Sequence, residues 1–438
     1  MKVVQINAYY KHGSTGRLVS DLHEEMKKND IDSYVVYGKK MTINNNEKYD
    51  ENIILMSDKI DFFVHKYLYH IFGNALSYST YKTYKLLKKL DEIKPDIIHL
   101  HNLHDYFINT NMLFKYIKKN DIKVIWTFHD CWTFTGHCTH FTDINCEKWK
   151  SVCKNCPKQR KGPRSLVFDR SKEFYKKKKE LFNYPNMKII TVSKWLEGLV
   201  NESFLKGVKT ETIYNWVDDE KFYPASDKEI EQFKNENNLK GKKIILGVAP
   251  AWTSNKGIED FLELSKIIDD DMVIFLVGNN PQKKIGGEKH IYNIPDNVKM
   301  INATNDINKL RIIYSMADVF LNLSKQETFG LTTAEALACG TPAVVYELTA
   351  CPEVVGIDKK AGECVKYNDN RIKNVNVSLN YITKNRDKYT DNCIKRVNDN
   401  FEKFKILGEY INAYKKMINY DAVKHSNGDK KNENEKNI

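Results

Sequence analysis

Two carboxylates eight residues apart are the side chains of this sequence best placed to do chemistry. Glu327 and Glu335 lie in the run 325–342, which follows an apolar segment, Val319–Leu323, that predicts a short buried strand. Gly330 predicts the turn after this strand, and a glycine and a proline at the end of the run predict a helix of two turns. Such a turn presents backbone N–H groups to an anion such as phosphate. Glu335 can then accept from a ribose hydroxyl, while Glu327 faces the group attached to the phosphate.

A second interpretation of the same residues needs no ligand. Thr332 and Glu335 have the spacing of a capping box, in which the glutamate closes the start of the helix. The two residues alone do not decide between the interpretations.

The turn resembles the Glu-x7-Glu signature of the family 4 retaining glycosyltransferases, enzymes of the two-domain GT-B architecture. The resemblance continues through 340–345 and 352–356. It implies that Glu327 is a catalytic residue beside the donor sugar and that Glu335 binds the ribose of a nucleotide-diphosphate-sugar donor. It also implies a donor-binding role for the residues of the turn, Phe329, Gly330, Leu331 and Thr332.

A pair of glycines opens the first helix of the sequence. Gly13 and Gly16 follow an apolar strand, Lys2–Ala8, and precede Arg17. Glycines allow a backbone to approach a ligand closely, and a helix N-terminus favours an anion. With the family resemblance, we expect these residues to line the donor or acceptor cleft. Without it, a purely structural turn explains the pair.

Lys256 lies at the start of a predicted helix, Gly257–Ile268. A fixed cation stabilises a departing nucleoside diphosphate most in the transition state, because negative charge grows on the leaving group. The family places a diphosphate-binding lysine here, often with an arginine a few residues ahead, but 249–254 contains no cation. Arg17 is one candidate replacement. A solvated lysine at a helix start is the alternative.

Two strand ends supply further residues that match the family. His129 follows the strand Lys123–Phe128 and resembles the histidine on the acceptor side, where an imidazole orients the donor sugar or an acceptor hydroxyl. A structural histidine is the alternative. Ser193 follows the strand Met187–Val192 and matches a pattern near the donor.

The sequence does not predict a catalytic metal. It places no Asp-x-Asp pattern near the nucleotide site, so the charge of the leaving diphosphate is left to Lys256 and to helix N-termini. His99, His101 and His104 alternate along a strand end, and we expect them to line the cleft rather than to bind a metal.

An irregular stretch, about 131–180, interrupts the first half of the chain, and four of its five cysteines form a candidate metal cluster. Their spacing is loose except for a terminal Cys-x2-Cys pair, so a structural zinc or four reduced thiols both explain them. The motif from His-Asp-Cys-Trp to Cys-x2-Cys-Pro resembles a colanic-acid-type, polysaccharide-synthesis branch of the family. Glycosyl transfer needs no catalytic thiol. The candidate zinc ligands are Cys138, Cys146, Cys153 and Cys156.

Strands alternate with helices along both halves of the chain, which predicts an α/β fold of two Rossmann-like domains facing a central cleft. We assign 1–215 to an acceptor-side domain and 216–395 to the nucleotide-sugar-binding domain. Residues 396–423 are expected to form a helix that packs back on the first domain. The tail 424–438, rich in Lys, Asn and Glu, is expected to be disordered.

The net charge of +12 is concentrated in 158–179, where ten lysines and arginines stand against two acidic residues. A solvated face explains this run, and an anionic membrane surface contacted with the aromatic segment 62–70 is the alternative. The sequence has no apolar run of about 18 residues and no leader-like start. We therefore expect a cytoplasmic protein, peripheral at the inner face of the membrane if it binds lipid. No nucleic-acid partner is expected, since no recognition-helix motif is present.

Taken together, these residues predict an enzyme that moves a sugar from a nucleotide-diphosphate donor to a hydroxyl of a growing, lipid-linked glycan. The resemblance implies retention of configuration and a place in the synthesis of a cell-surface polysaccharide, as in an exopolysaccharide, capsule or lipopolysaccharide. A nucleotide-sugar epimerase or hydrolase on the same fold is the alternative among enzymes. From other classes, a nucleic-acid-binding module and a non-catalytic scaffold remain.

Overall fold

The structure is a computed structural model that describes residues 1–38, 50–56, 59–73, 76–161, 165–279, 282–285 and 288–434. The strands within these residues are β1 (Lys2–Asn7), β2 (Asp32–Tyr37), β3 (Ile53–Leu55), β4 (Ile97–Leu100), β5 (Lys123–Phe128), β6 (Met187–Thr191), β7 (Lys209–Thr212), β8 (Lys243–Ala251), β9 (Met272–Asn279), β10 (Gln282–Ile285), β11 (Glu288–Ile291), β12 (Val298–Ile301), β13 (Val319–Asn322), β14 (Ala343–Tyr346) and β15 (Gly362–Val365).

The α-helices of the described residues connect these strands and cover the sheets. They are α1 (Gly13–Lys28), α2 (Lys59–Phe72), α3 (Thr80–Ile93), α4 (Thr110–Lys119), α5 (Ser171–Phe182), α6 (Lys194–Glu202), α7 (Asp227–Glu236), α8 (Ile258–Leu264), α9 (Ile307–Ser315), α10 (Leu331–Ala338), α11 (Cys351–Val355), α12 (Arg371–Lys384), α13 (Thr390–Asn400) and α14 (Lys403–Asn434).

The first sheet has the strand order β3-β2-β1-β4-β5-β6-β7, and its strand pairs are parallel. Its central strands are apolar runs buried on both faces, as in β4, where Ile97, Ile98 and Leu100 are fully buried. The order of the strands reverses between β1 and β4. A crevice therefore opens beyond the carboxyl ends of these two strands.

The second sheet repeats the pattern with the order β12-β9-β8-β13-β14-β15, again with parallel pairs. Here the order reverses between β8 and β13. The loop after β8 carries Lys256 and the loop after β13 carries Glu327, so both residues lie at the switch point where such sheets bind ligands. The predicted fold class, two Rossmann-like α/β units, is confirmed. The boundaries at 215 and 395 stay a prediction.

The last helix returns to the first sheet. Tyr410 and Tyr414 of α14 are buried in a cluster with Val3 and Ile97, and the Tyr414 hydroxyl lies 2.7 Å from Nδ1 of His99. The sequence predicts disorder from residue 424, but α14 continues through 424–434. A helix that packing has already nucleated gains one hydrogen bond for each residue added to its end. Residues 435–438 of the predicted tail lie outside the described residues.

The irregular stretch 131–180 is tied together by two lysines of the basic run. Lys178 is fully buried, and its Nζ donates to the carbonyls of Trp132 at 2.6 Å and Thr135 at 3.0 Å. Lys158 bonds the Asp143 carboxylate at 2.7 Å and the His140 carbonyl at 3.0 Å. Part of the basic run therefore has a structural role. In the part of the chain that the structure describes, no helix is both long enough and apolar enough to cross a membrane.

Candidate active site

Glu335 is the buried carboxylate of the strand-to-helix turn. Gly330 precedes α10 with φ +101°, a conformation that favours glycine, and no side chain caps the helix. The predicted capping box is therefore not formed. The Tyr314 hydroxyl instead donates to Oε2 of Glu335 at 2.8 Å. Burial raises the pKa of Glu335, and the positive charge of Arg17 offsets this only in part.

Glu335 lines a cavity of about 130 Å³, open to solvent, that lies between the two sheets. Arg17 of α1 lines the opposite side, and its guanidinium is 3.6 Å from Oε1 of Glu335. The cavity is also lined by Leu331, which was predicted, and by Lys11, Trp216 and Lys221, which were not. Gly13 begins α1 with φ +64°, and the Gly16 carbonyl accepts from the Lys11 N–H at 2.9 Å. The glycine turn thus shapes the first-sheet wall of the cavity.

Glu327 is not among the residues that line this cavity. Its Oε1 lies 2.5 Å from Nζ of Lys256, and both side chains are mostly buried. Burial alone would lower the pKa of Lys256, but the charge of Glu327 outweighs it and raises this pKa. Gly257, at φ +77°, lets the two loops meet, since a Cβ there would lie 2.3 Å from the Leu323 carbonyl oxygen.

The first domain holds the Glu327 loop at two points. The Thr328 hydroxyl donates to the His129 carbonyl at 2.8 Å. The Thr142 hydroxyl, from the irregular stretch, donates to the Lys325 carbonyl at 3.4 Å. His129 and Thr142 are therefore brought beside the turn that carries Glu327, and the catalytic role of His129 stays a prediction.

His129 is held by a chain of buried polar side chains. Its Nε2 lies 3.1 Å from Nδ1 of His101, whose Nε2 lies 3.3 Å from Oε1 of Gln5. The Gln5 amide nitrogen donates to the Val19 carbonyl, which leaves its oxygen to accept from His101. The network therefore assigns the proton of His129 to Nε2. Burial lowers the pKa of His129 to about 4, so the ring is neutral at pH 7 and its Nδ1 is an acceptor.

His104 is a buried cation in the same crevice. Its Nε2 bonds Asp130 at 2.7 Å and its Nδ1 bonds Asp105 at 3.3 Å. Burial opposes protonation, but the two carboxylates prevail and raise the pKa of His104 to about 10. His99 lies deeper, between Tyr414 and Thr127, and burial lowers its pKa to about 3. The rings of His99 and His104 therefore hydrogen-bond to other side chains of the same protein, at the first sheet.

Comparison with known proteins identifies the chain. The family described as Glycosyltransferase Family 4 matches residues 15–221, and the family described as Glycosyl transferases group 1 matches residues 229–399. One match therefore falls on each Rossmann-like unit. The chain is a GT-B glycosyltransferase.

Two relatives match most of the glycosyltransferase. It is 23% identical to WcaC of Escherichia coli (strain K12), named as a colanic acid biosynthesis glycosyl transferase, over 83% of this chain and 87% of that protein. It is also 23% identical to a 41.2 kDa protein in the cps region of Klebsiella pneumoniae, over 95% of this chain and 99% of that protein.

Solved structures share the fold of the glycosyltransferase. Sucrose-phosphate synthase from Thermosynechococcus elongatus superposes with a TM-score of 0.69 at 16% identity. The superposition covers 95% of this chain and 99% of the synthase chain. HepE of Anabaena, solved with UDP and glucose, gives 0.64 at 12% identity, with 95% and 99% covered. At such identities the likeness shows the fold alone.

One predicted donor contact of the glycosyltransferase, Ser193, has a different role in the structure. Ser193 is fully buried and caps α6, accepting from the Leu196 N–H at 3.2 Å. The Glu353 carboxylate accepts hydrogen bonds from the N–H groups of Lys194 and Trp195 at the N-terminus of that helix. Ser193 is thus a structural cap, and its predicted donor contact is not supported.

The remaining turn residues of the glycosyltransferase differ in their surroundings. Phe329 is buried against Tyr214 and Phe401, with ring centroids 6.1 and 5.3 Å away. Its ring therefore belongs to an aromatic cluster inside the protein. Thr332 is partly exposed and is not among the cavity-lining residues. A donor contact of Phe329 is therefore confined to its backbone.

The cysteine cluster gives no support to the predicted zinc. Among the described residues, which include Cys138, Cys146, Cys153 and Cys156, no group of three or more His, Cys, Asp or Glu side chains is arranged to hold a metal ion. The Cys153 sulfur instead accepts from the Gly136 N–H at 3.2 Å, and Cys138 and Cys156 hydrogen-bond to each other. The zinc site therefore stays a prediction, with four reduced thiols as its alternative.

Sequence reasoning missed two contributors to the site. Tyr314 bonds Glu335 from α9, and Trp216 lines the cavity from the segment between β7 and α7, but neither residue has a local motif.

Proposed function

We propose that the protein transfers a sugar from a nucleotide-diphosphate donor to a glycan hydroxyl with retention of configuration. Glu335 binds the donor ribose, Lys256 neutralises the diphosphate, Glu327 orients the transferred sugar and His129 contacts the reacting end. The observation that carries the proposal is the Lys256–Glu327 pair at the switch point of the second sheet, next to the His129 strand end of the first.

The cavity at Glu335 supports a nucleotide-binding role. It combines a buried carboxylate with Arg17, Lys11 and Lys221, and it offers the Trp216 ring as an apolar wall. A carboxylate that accepts from ribose hydroxyls and cations that attract phosphate are what a nucleotide requires. UDP-glucose, which occupies a structure of HepE, is the donor to test first, and UDP is the nucleoside diphosphate to compare with it.

The acceptor that we propose is a growing, lipid-linked glycan of a cell-surface polysaccharide. The names of WcaC and of the cps-region protein support this class of product. A nucleotide-sugar epimerase or hydrolase, the alternative on the same fold, has no observation in its favour here.

An exposed apolar stripe supports a lipid-facing acceptor site. Ile60, Phe63, Val64 and Tyr67 follow the i, i+3, i+4, i+7 spacing of one helix face on α2, and Ile60 is 77% exposed. The segment 166–168 adds Leu166, Val167 and Phe168, all exposed, and is joined to α2 by the Leu166 N–H and the His70 carbonyl at 2.9 Å. Exposed lysines on α3 and in the basic run supply positive charge that anionic lipid attracts, namely Lys85, Lys88, Lys89, Lys172, Lys176 and Lys179.

Vesicle sedimentation tests the lipid-binding part of the proposal. The protein should pellet with phosphatidylglycerol-containing vesicles at low salt and less with phosphatidylcholine alone. The double variant Phe63→Ser/Tyr67→Ser should reduce pelleting at least several-fold, whereas Val377→Ser, an exposed apolar residue of α12, should not. Equal pelleting of the two variants removes lipid docking while leaving transfer intact.

Product analysis tests the transfer reaction. The protein is incubated with UDP-, GDP- and ADP-linked sugars, with and without a membrane extract that supplies lipid-linked acceptors. Acceptor-dependent release of nucleoside diphosphate together with a glycan of unchanged anomeric configuration supports the proposal. Sugar conversion or hydrolysis without acceptor supports the epimerase or hydrolase instead.

A further inference from the structure

His140 carries a buried ring nitrogen whose role the preceding sections do not explain. Its Nδ1 is shielded from solvent and has no hydrogen-bond partner among the described residues. A buried polar atom without a partner costs free energy, so such atoms are rare and mark strain or a function. The residue lies in the irregular stretch, ten positions after Asp130.

The backbone around His140 is fixed on both sides. The Thr139 carbonyl accepts from the Cys131 N–H at 2.8 Å, and the His140 carbonyl accepts from buried Lys158 at 3.0 Å. Phe141 is buried and stacks on Trp149 at 4.8 Å between ring centroids. The position of the imidazole is therefore set by packing rather than by any bond of its own.

The stretch that carries His140 reaches the catalytic turn. The Thr142 hydroxyl, two residues on, bonds the Lys325 carbonyl at the start of the Glu327 loop. The charges of Glu327 and Lys256, which we assign to the sugar and the diphosphate, both act on the His140 ring, as does the charge of Asp130.

The electrostatics favour a sugar hydroxyl over a phosphate as the ligand of this ring. Burial lowers the pKa of His140, so the ring is neutral at pH 7 with one donor and one acceptor nitrogen. A hydroxyl can use both kinds of group. The nearby charges offset each other, since the carboxylates of Asp130 and Glu327 are matched by the ammonium groups of Lys256 and Lys158, so the ring position offers no excess positive charge to an anion.

We propose that His140, contributed by the cysteine-containing stretch, hydrogen-bonds a hydroxyl of the transferred sugar and helps to select it. The proposal rests on the proposed function and adds to it a sugar-binding residue that belongs to the irregular stretch rather than to either sheet. It also gives this stretch a purpose: it carries one wall of the sugar site and is held against the Glu327 loop.

Binding titrations of full-length protein separate the sugar from the nucleotide. UDP-, GDP- and ADP-linked sugars and their parent nucleoside diphosphates are titrated into wild type, His140→Leu and His140→Asn. His140→Leu should weaken binding of the nucleotide sugar by about 3- to 10-fold, the effect of one lost hydrogen bond, and leave the nucleoside diphosphate unchanged. His140→Asn keeps a polar group near the Nδ1 position and should recover most of the loss.

His137→Leu is the matched control, because His137 lies in the same stretch but bonds Tyr69 and the Lys161 carbonyl through its two ring nitrogens. It should lower the melting temperature without changing the ratio of the two affinities. An unchanged ratio in His140→Leu, or an equal loss for sugar and diphosphate, overturns the role of His140. Failure of wild type to bind any of the nucleotide sugars overturns the proposed function itself.

Discussion

Nζ of Lys256 lies 2.5 Å from Oε1 of Glu327, so the cation assigned to the diphosphate is paired with the carboxylate assigned to the sugar. A diphosphate that binds Lys256 competes with Glu327 for the ammonium group. Donor binding then releases the carboxylate toward the sugar. The pair therefore links occupation of the phosphate site to the position of the catalytic carboxylate.

Replacing Glu327 tests this link. Glu327→Gln should reduce transfer by about 100-fold or more, the scale seen when a charged transition-state contact is lost. Affinity for the nucleoside diphosphate should stay equal or rise, since Lys256 loses its competing partner. Turnover and calorimetric titration with the diphosphate measure the two effects.

The control for this variant is Glu363→Gln, which removes one partner of another lysine–glutamate pair, Lys359–Glu363 at 2.9 Å. It should leave both transfer and binding unchanged. Full turnover in Glu327→Gln would contradict the assigned role of the carboxylate.

Glu335 and Arg17 should act together on the nucleotide. Glu335→Gln retains a group that can accept from Tyr314 but loses the charge, and we expect donor affinity to fall by roughly 10-fold, since a charge-assisted hydrogen bond contributes about 1.5 kcal/mol or more. Arg17→Ala should weaken binding of the diphosphate by a similar factor.

Thermal stabilisation by the donor and by its nucleoside diphosphate measures both losses. Arg160→Ala, an exposed arginine of the basic run, is the control and should behave as wild type. If Arg17→Ala binds as tightly as Arg160→Ala, another residue replaces the missing cation ahead of Lys256.

The sequence predicts the parts of the site that one segment supplies and misses those assembled from several. Lys256 and Glu327 are recognisable because each follows a buried strand, and parallel strands bring such loops to one edge. Tyr314 and His140 have no comparable signal, because their contacts depend on how α9 and the irregular stretch pack. Ser193 shows the opposite error: its motif is a helix cap, and Glu353 from the second half occupies the place expected for a ligand.

Gly257 should be intolerant of any side chain. In Gly257→Ala the new Cβ would lie only 2.3 Å from the Leu323 carbonyl oxygen, and residue 257 would have to keep a φ of +77°. We expect a loss of stability of about 3 kcal/mol or more, or a displaced Lys256 with weakened diphosphate binding. Urea unfolding and diphosphate titration measure the two outcomes. Gly198→Ala in α6, where a Cβ meets nothing within 4 Å, should be neutral or stabilising.

Tyr414 should stabilise the first sheet through His99. Tyr414→Phe leaves Nδ1 of a fully buried histidine unpaired, which costs about 1–3 kcal/mol of the free energy of unfolding. Tyr381→Phe, at a mostly exposed tyrosine of α12, should change stability by less than about 0.5 kcal/mol. Equal midpoints in urea for the two variants would show that the contact between Tyr414 and His99 does not stabilise the fold.

His104 should make stability fall as the pH becomes alkaline. Its pKa is raised from 6.5 to about 10 in the folded protein, so its contribution is complete below pH 6.5 and is lost as the pH rises toward 10. Within that window the free energy of unfolding should decline by up to about 1.4 kcal/mol per pH unit from this group. His104→Gln should therefore destabilise the protein much more at pH 7 than at pH 9.5 in urea unfolding. His65→Gln is the matched control, because the pKa of this buried histidine is lowered to about 3 and its cost should not vary over the same range. A pH-independent cost for His104→Gln would mean that the ring is neutral between its two carboxylates.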